Sequence, residues 1–196
     1  MKGDSITAVV IGAGEVGTAK ALALYDAGAV VRVIARQASE RLRAAAWASK
    51  RLTVETRDYS GPEDIAAAEL VVAATGSPAD ERIAEDARTL HRVVVVAGNP
   101  PLGNATSMAV HRAGPLAIGV SAGGVPGAAA RIRDALAKRF DSRYADALTS
   151  YVALRSKTIT ESGSSTWASL NSKLATDDFC DAVENGEFAR ALAKCR

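Results

Sequence analysis

The chain has 196 residues, of which 48% are hydrophobic and 23% charged, and its formal net charge at pH 7 is +2. This composition is typical of a globular protein and excludes a disordered or collagen-like chain. The near balance of charge provides no overall field to attract nucleic acid or an anionic membrane surface, so we expect neither as a partner.

The first predicted elements form a βαβ unit. A continuous apolar run over residues 6–11 predicts a strand buried on both faces of a parallel sheet. An alanine- and leucine-rich helix is expected over 15–27, with Gly28 at its C-cap, and a second strand over 30–35. Strand, turn, helix and strand therefore follow one another from the start of the chain.

The same alternation continues for another sixty residues or so. Helices are expected from Ser39, over 63–68 and from Pro78, and strands over 52–56, 70–74 and 93–96. Five short apolar strands separated by helices predict an α/β fold, a doubly wound parallel sheet of the Rossmann type with right-handed crossovers.

The character of the sequence changes after Val96. The segment AGNPPLGNA is rich in glycine, proline and asparagine, which predicts a loop and a domain boundary near 98–103. Beyond it we expect a strand over 115–121, a turn, and a helix over 126–140. The remainder is expected to be helical, interrupted by a loop at 162–165, and His111 is assigned to the loop-rich part.

A glycine turn follows the first strand and reads Gly12-Ala13-Gly14-Glu15-Val16-Gly17. Its first glycine permits the tight turn, the second lets the backbone approach a pyrophosphate, and the third lets the helix pack closely on the strand. The helix N-terminus then offers free N–H groups to the phosphates. Because strands flank this turn and helix at the expected distances, we favour binding of NAD or NADP by these six residues over a purely structural turn.

The end of the second strand bears on the choice between the two dinucleotides. A site for NAD usually places Asp or Glu there, on the ribose hydroxyls, but this sequence has Arg36 and Gln37. Arg36 is suited to the 2′-phosphate of NADP. The alternative is that Arg36 is solvated and that NAD is held without an acidic clamp.

Two further strand ends lie at the carboxyl edge, where open α/β sheets bind ligands. Thr75 and Gly76 follow the fourth strand and are expected to line the cofactor groove. Ala97, Gly98 and Asn99 follow the fifth strand and are expected near the nicotinamide and the substrate.

Metal chemistry is not indicated. The chain has two histidines and two cysteines, and none of them has the spacing of metal ligands. Two cysteines without a disulfide pattern favour a reducing compartment, so we expect a cytoplasmic protein.

Three segments together resemble the precorrin-2 dehydrogenase and sirohydrochlorin ferrochelatase family, the dehydrogenase module of siroheme synthases. They are VVIGAGEVGTAKALALYDAGAVVRVIA, ELVVAATGSPADERIAEDA and GPLAIGVSAGGVPGAAARIRDAL, within residues 6–140. The family patterns GGGxVAxxKA, AATxD and PLxxxxSSGG correspond here to stretches that contain Lys20, Thr75 and Ser121-Ala122-Gly123-Gly124.

The resemblance implies an organisation and a reaction. Residues 1–103 would form the Rossmann domain, 104–140 a segment that joins two subunits in a homodimer, and 141–196 a small helical region. The family transfers hydride from precorrin-2 to NAD, and some members then insert iron. Its general base is an aspartate in the loop after the fifth strand.

That aspartate is replaced here by Gly98 or, with a shift of one residue, by Asn99. An amide can orient a substrate but cannot accept a proton, and loss of a general base typically costs about 10²- to 10⁴-fold in rate. We therefore expect Asn99 and Ser121 to orient a tetrapyrrole in a weak dehydrogenase with little chelatase activity. The alternatives are an oxidoreductase with another small substrate, and a non-catalytic dimer that binds a dinucleotide or a tetrapyrrole.

Overall fold

The computed structural model describes residues 5–195, which form two compact units. The first unit ends at Ser107 and the second begins at Met108. Within the described residues, no helix is both long and apolar enough to cross a membrane.

The first unit is a five-stranded parallel sheet with the strand order β3-β2-β1-β4-β5. Its strands are β1 (Thr7–Ile11), β2 (Val30–Ala35), β3 (Leu52–Thr56), β4 (Leu70–Ala73) and β5 (Val93–Val96). Its helices are α1 (Glu15–Asp26), α2 (Glu40–Trp47) and α3 (Ala79–Thr89), with 3₁₀ turns at Pro62–Asp64 and Pro100–Leu102. The predicted Rossmann-type sheet is confirmed.

Both faces of this sheet are buried, which is why its strands are continuous apolar runs. In β1, Val9 and Ile11 belong to one hydrophobic cluster, while Ala8 and Val10 belong to the cluster on the opposite face. The strand order reverses between β1 and β4. At such a switch point the helices on either side diverge and leave a crevice at the carboxyl edge of the sheet.

The second unit pairs a β-hairpin with helices. Strands β6 (Ala109–Ala113) and β7 (Leu116–Val120) are antiparallel. The helices are α4 (Pro126–Arg139), α5 (Ser142–Leu174), α6 (Phe179–Glu184) and α7 (Glu187–Ala193). Aromatic side chains dominate its core, where the rings of Phe179 and Phe188 meet edge to face at 4.7 Å.

Three sequence predictions need correction. The helix expected over 63–68 is a 3₁₀ turn over Pro62–Asp64, because the Asp64 carboxylate accepts hydrogen bonds from the N–H and hydroxyl of Ser60 and fixes a tight turn. His111 lies in strand β6 and not in a loop, with its Nε2 2.6 Å from the carbonyl oxygen of Phe140. The interruption expected at 162–165 is confined to Gly163, whose φ of 84° breaks α5 at one residue.

Candidate functional site

A groove of about 1250 Å³ opens at the carboxyl edge of the sheet in the first unit. Its walls come from the β1–α1 turn, the ends of β2 and β3, and the loop between β4 and α3. It therefore occupies the switch point between β1 and β4, where the topology of an open α/β sheet places a ligand.

Two of the three turn glycines are required by close packing. Gly12 has a φ of 99°, and a Cβ atom there would lie 2.3 Å from the carbonyl oxygen of Ala74. A Cβ atom at Gly17 would lie 2.0 Å from the carbonyl oxygen of Gly12. The first turn of α1 is thus pressed against the ends of β1 and β4, and larger residues cannot be accommodated without moving the backbone.

Gly14 differs from the other two glycines because nothing within 4 Å would meet a Cβ atom there. It is the N-cap of α1, and no side chain within residues 5–195 caps that end of the helix. The hydroxyl of Thr18 donates to the carbonyl oxygen of Ala13 at 3.0 Å, which fixes the turn from the helix side. Uncapped N–H groups beside open space fit the pyrophosphate of a dinucleotide.

The loop after β4 is held by a buried carboxylate that the sequence analysis did not identify. Asp80, in the first turn of α3, is 6% exposed and accepts a hydrogen bond from the Thr75 hydroxyl at 2.7 Å. It also accepts the backbone N–H groups of Thr75 and Gly76 at 3.0 and 3.1 Å. An aspartate at the second position of a helix, just after a strand-end Thr-Gly turn, is the signal that could have identified it.

The end of β2 carries the residues that were expected near the adenosine ribose. Arg36 is 81% exposed, and its Nε lies 3.5 Å from a carboxylate oxygen of Asp58, which is 82% exposed. Gln37 lines the groove beside Arg36, as does Arg41 from the first turn of α2.

A network of charged side chains supports this end of the groove from β3. Arg57 donates to Glu55 at 2.7 Å and to Asp64 at 2.6 Å. Hydrogen bonds from the Arg57 guanidinium hold the pKa of the Asp64 carboxyl well below its usual range. Burial, together with a hydrogen bond to Asp86, raises the pKa of Tyr59 in the same wall above its usual value.

The structure brings most of the predicted cofactor residues together in one groove. The predicted residues that line it are Gly12, Ala13, Gly14, Glu15, Arg36, Gln37 and Thr75. The predicted residues outside its wall are Val16, Gly17, Gly76, Ala97 and Gly98. Of these, Gly17 and Gly76 shape the two loops described above, and the N–H of Ala97 pairs with the Ala73 carbonyl at 2.9 Å.

The two residues expected to orient substrate belong to different units. Asn99 is exposed and precedes the 3₁₀ turn after β5, while Ser121 is exposed between β7 and α4. Lys20, which matches the family pattern, lies outside the groove wall, where its ammonium donates to the Ser107 hydroxyl at 2.5 Å. Burial lowers the pKa of Lys20.

Comparison with protein families gives a match over residues 2–109 to a family described as "Putative NAD(P)-binding". Among curated proteins, the siroheme synthase of Pseudomonas putida strain F1 is 35% identical over 140 residues, which are 70% of this chain and 30% of that protein. The siroheme synthase of Saccharophagus degradans is 31% identical over 160 residues, 79% of this chain and 34% of that protein. The chain thus spans about a third of the length of these relatives.

Among solved structures, the chain resembles one titled "SirC, precorrin-2 dehydrogenase", with a TM-score of 0.72 and 21% sequence identity. The superposition covers 99% of this chain and 97% of that chain. The likeness therefore extends over both units and is a likeness of fold.

Proposed function

Because the chain belongs to the NAD(P)-binding family that its residues 2–109 match, we propose that it is an NAD(P)-dependent oxidoreductase of the precorrin-2 dehydrogenase type. The observation that carries the proposal is the glycine turn. Gly12 and Gly17 are locked by backbone contacts, while Gly14 leaves open space at an uncapped helix N-terminus beside a groove of about 1250 Å³. Such a turn suits a pyrophosphate better than it suits a simple connection.

Different residues of the groove bind different parts of the dinucleotide. The N–H groups at the start of α1 bind the pyrophosphate, and Arg36 and Gln37 lie at the adenosine ribose. Thr75 borders the middle of the groove, in a loop that Asp80 fixes through Thr75 and Gly76. Ala97 and Gly98 continue the same edge of the sheet towards the nicotinamide. When bound, the oxidised dinucleotide supplies a hydride acceptor.

The substrate class is proposed from the relatives, which are siroheme synthases at 31–35% identity. Asn99, in the first unit, orients a tetrapyrrole by hydrogen bonds, and the same role for Ser121 stays a prediction from the sequence. The Asn99 amide cannot remove the proton that accompanies hydride transfer, so dehydrogenation is slow and metal insertion is negligible.

A second candidate substrate follows from the same stretch. Ala97, Gly98 and Asn99 include no carboxylate, and the chain after them turns into the 3₁₀ segment Pro100–Leu102. The loop would suit a smaller substrate whose oxidation needs no general base at this position. In a further alternative, the chain forms a dimer that binds a dinucleotide and catalyses no reaction.

We also propose a cytoplasmic homodimer joined through the hairpin of β6 and β7. One face of the hairpin packs on its own unit, and the other exposes Val110 opposite Gly119, with Met108 beside them. Met108 is 54% exposed and Val110 43%. A two-stranded sheet is marginal in isolation, so cover from a second copy would stabilise it. The free thiols of Cys180 and Cys195 support a reducing compartment.

The test of the function is an anaerobic absorbance assay with enzymatically generated precorrin-2 and NAD⁺ or NADP⁺. Slow formation of sirohydrochlorin that depends on the dinucleotide is the expected result. If the chain binds a dinucleotide but forms no sirohydrochlorin, the result favours the second candidate substrate. Failure to bind either dinucleotide contradicts the oxidoreductase itself.

A further inference from the structure

The end of the groove next to β2 carries more positive than negative charge. Its wall includes the exposed side chains of Arg36 and Arg41 and one exposed carboxylate, that of Asp58. The other carboxylate in the groove wall, Glu15, belongs to the first turn of α1, at the glycine turn. In a Rossmann fold the ribose that carries adenine lies at the end of the second strand, beside these two arginines.

Arg36 is free to take a new partner. Its contact with Asp58 joins only Nε to one oxygen at 3.5 Å, and both side chains are more than four-fifths exposed. An exposed ion pair of this kind contributes little to stability, so Arg36 can readily exchange Asp58 for another anionic partner. The two terminal nitrogens of the guanidinium are therefore available to an incoming anion.

Arg57 is different, although it lines the same wall. Its guanidinium is shared between Glu55 and Asp64 at 2.7 and 2.6 Å, and it also donates to Ser60 at 3.2 Å. Its charge is compensated by these partners. The positive charge that a ligand can use at this end of the groove therefore comes from Arg41 and from Arg36, which has only the exposed partner Asp58.

Two neutral groups add hydrogen-bonding capacity beside these arginines. The Ser39 oxygen caps α2 by accepting the N–H of Leu42 at 3.3 Å, which leaves the hydroxyl proton of Ser39 to be donated elsewhere. The amide of Gln37 lines the groove between Arg36 and Ser39. Together they offer donors to a phosphate, whereas a ribose with two free hydroxyls is usually held by a carboxylate at the end of the second strand, where this chain has Arg36.

We propose that the chain selects NADP(H) over NAD(H), with Arg36 and Arg41 binding the 2′-phosphate and the Ser39 hydroxyl donating to it. The inference rests on the proposed dinucleotide site and names which dinucleotide that site takes. A phosphate monoester carries close to two negative charges, and guanidinium groups bind it through paired hydrogen bonds. Arg36 at the end of β2 and Arg41 in the first turn of α2 provide two such groups. Glu40 is the acidic residue between them in the sequence, and it is outside the groove wall.

The test compares binding of NADPH and NADH to the full chain by fluorescence titration, with adenosine 2′,5′-bisphosphate and 5′-AMP as smaller probes. The variants are Arg36→Gln and Arg41→Gln. Lys50→Gln is the matched control, because it removes the same charge from an exposed position after α2 that is outside the groove wall. NADPH should bind about tenfold or more tightly than NADH, and each arginine variant should lose about tenfold for NADPH.

The same variants should lower NADH affinity much less than NADPH affinity, because the phosphate contacts that they remove go to a group that NADH lacks. Equal or tighter binding of NADH would overturn the selectivity and leave the oxidoreductase proposal standing. A loss of NADH affinity in Asp58→Asn, with NADPH unaffected by the arginine variants, would also overturn it by assigning the ribose to Asp58. Failure of all four ligands to bind would overturn the dinucleotide site itself.

Discussion

Asp80 holds Thr75 by two hydrogen bonds to a single carboxylate oxygen, one from the backbone N–H at 3.0 Å and one from the hydroxyl at 2.7 Å. Its other oxygen accepts the N–H of Gly76 at 3.1 Å. Because the hydroxyl proton of Thr75 is donated to this carboxylate, its oxygen can only accept, and it accepts from the backbone N–H of Ser77 at 3.2 Å and from the Ser77 hydroxyl at 2.9 Å. A residue behind the groove thus determines how the groove wall can hydrogen-bond.

Asp80→Ala should therefore weaken both the fold and the site. Three donors lose their acceptor, and we expect a loss of about 1–3 kcal/mol in the free energy of unfolding. Affinity for the preferred dinucleotide should fall in the same variant, because the Thr75 loop is released. Urea unfolding and ligand titration measure the two effects. The control is Glu81→Ala, at the exposed neighbouring position, which should change neither stability nor affinity. If Asp80→Ala also changed neither, Asp80 would not position the Thr75 loop.

The three turn glycines should respond differently to alanine. Gly12→Ala and Gly17→Ala place a Cβ atom against backbone oxygens, and each should cost about 2 kcal/mol or more in stability. Gly14→Ala meets no atom and keeps a φ of −63°, so its stability should stay within about 1 kcal/mol of the wild type. The measurement is thermal unfolding of the three variants. Equal losses of stability in all three would contradict the packing described for the turn.

The pair of Asp64 and Arg57 should make stability depend on pH. The folded-state pKa of Asp64 lies below its unfolded value, so the stabilisation is complete above about pH 5 and is lost as the pH falls through the range of an ordinary aspartate, near 4, and below. The difference in urea midpoint between the wild type and Asp64→Asn should shrink over that range. The exposed neighbour in Glu63→Gln is the control. A difference that does not vary with pH would exclude this linkage.

Asn99→Asp tests the proposed cause of slow turnover. If a missing carboxylate after β5 limits dehydrogenation of precorrin-2, this change should raise kcat by about 10²-fold or more, with a smaller effect on KM. Gly98→Asp covers the alternative alignment of the family aspartate. The initial rate of sirohydrochlorin formation is the measurement. No gain in either variant would favour a different substrate over a missing base.

Val110→Glu tests the proposed dimer. The side chain is 43% exposed on the open face of the hairpin, so a glutamate there should leave the monomer folded and prevent burial of that face. Light scattering after gel filtration should report a dimer for the wild type and a monomer for the variant. Val152→Glu makes the same change at a 50% exposed position on α5 and should remain dimeric. A wild-type monomer would rule out the homodimer.

The first unit could be predicted closely from sequence because its signals are local. Apolar runs without alternation indicate strands buried on both faces, and Gly12 and Gly28 fall where the chain must take a positive φ. Strand β6 was missed because its residues AVHRA alternate weakly and include two polar side chains. Its pairing with β7 depends on contacts that the local pattern does not carry.

Asp80 has a local signal in the sequence, but the rest of the polar network behind the groove depends on contacts between elements that are distant in the sequence. Glu81, Glu85 and Asp86 look alike as acidic residues on a helix, yet Asp86 accepts the hydroxyl of Tyr59 at 2.9 Å. Asp80 stands beside them and is the buried member of the group. Which carboxylate is buried depends on how α3 packs on the sheet. A single sequence indicates this packing only through the apolar residues on one face of the helix.

The most direct test of the dinucleotide site is calorimetric titration of the wild-type chain and Gly14→Ala with NADP⁺ and NAD⁺. We expect one dinucleotide bound per wild-type chain. Affinity should fall about tenfold or more in the folded variant, because a methyl group stands where the pyrophosphate approaches the backbone. Equal affinity in the two proteins, or no binding to the wild type, would exclude a dinucleotide site at this turn.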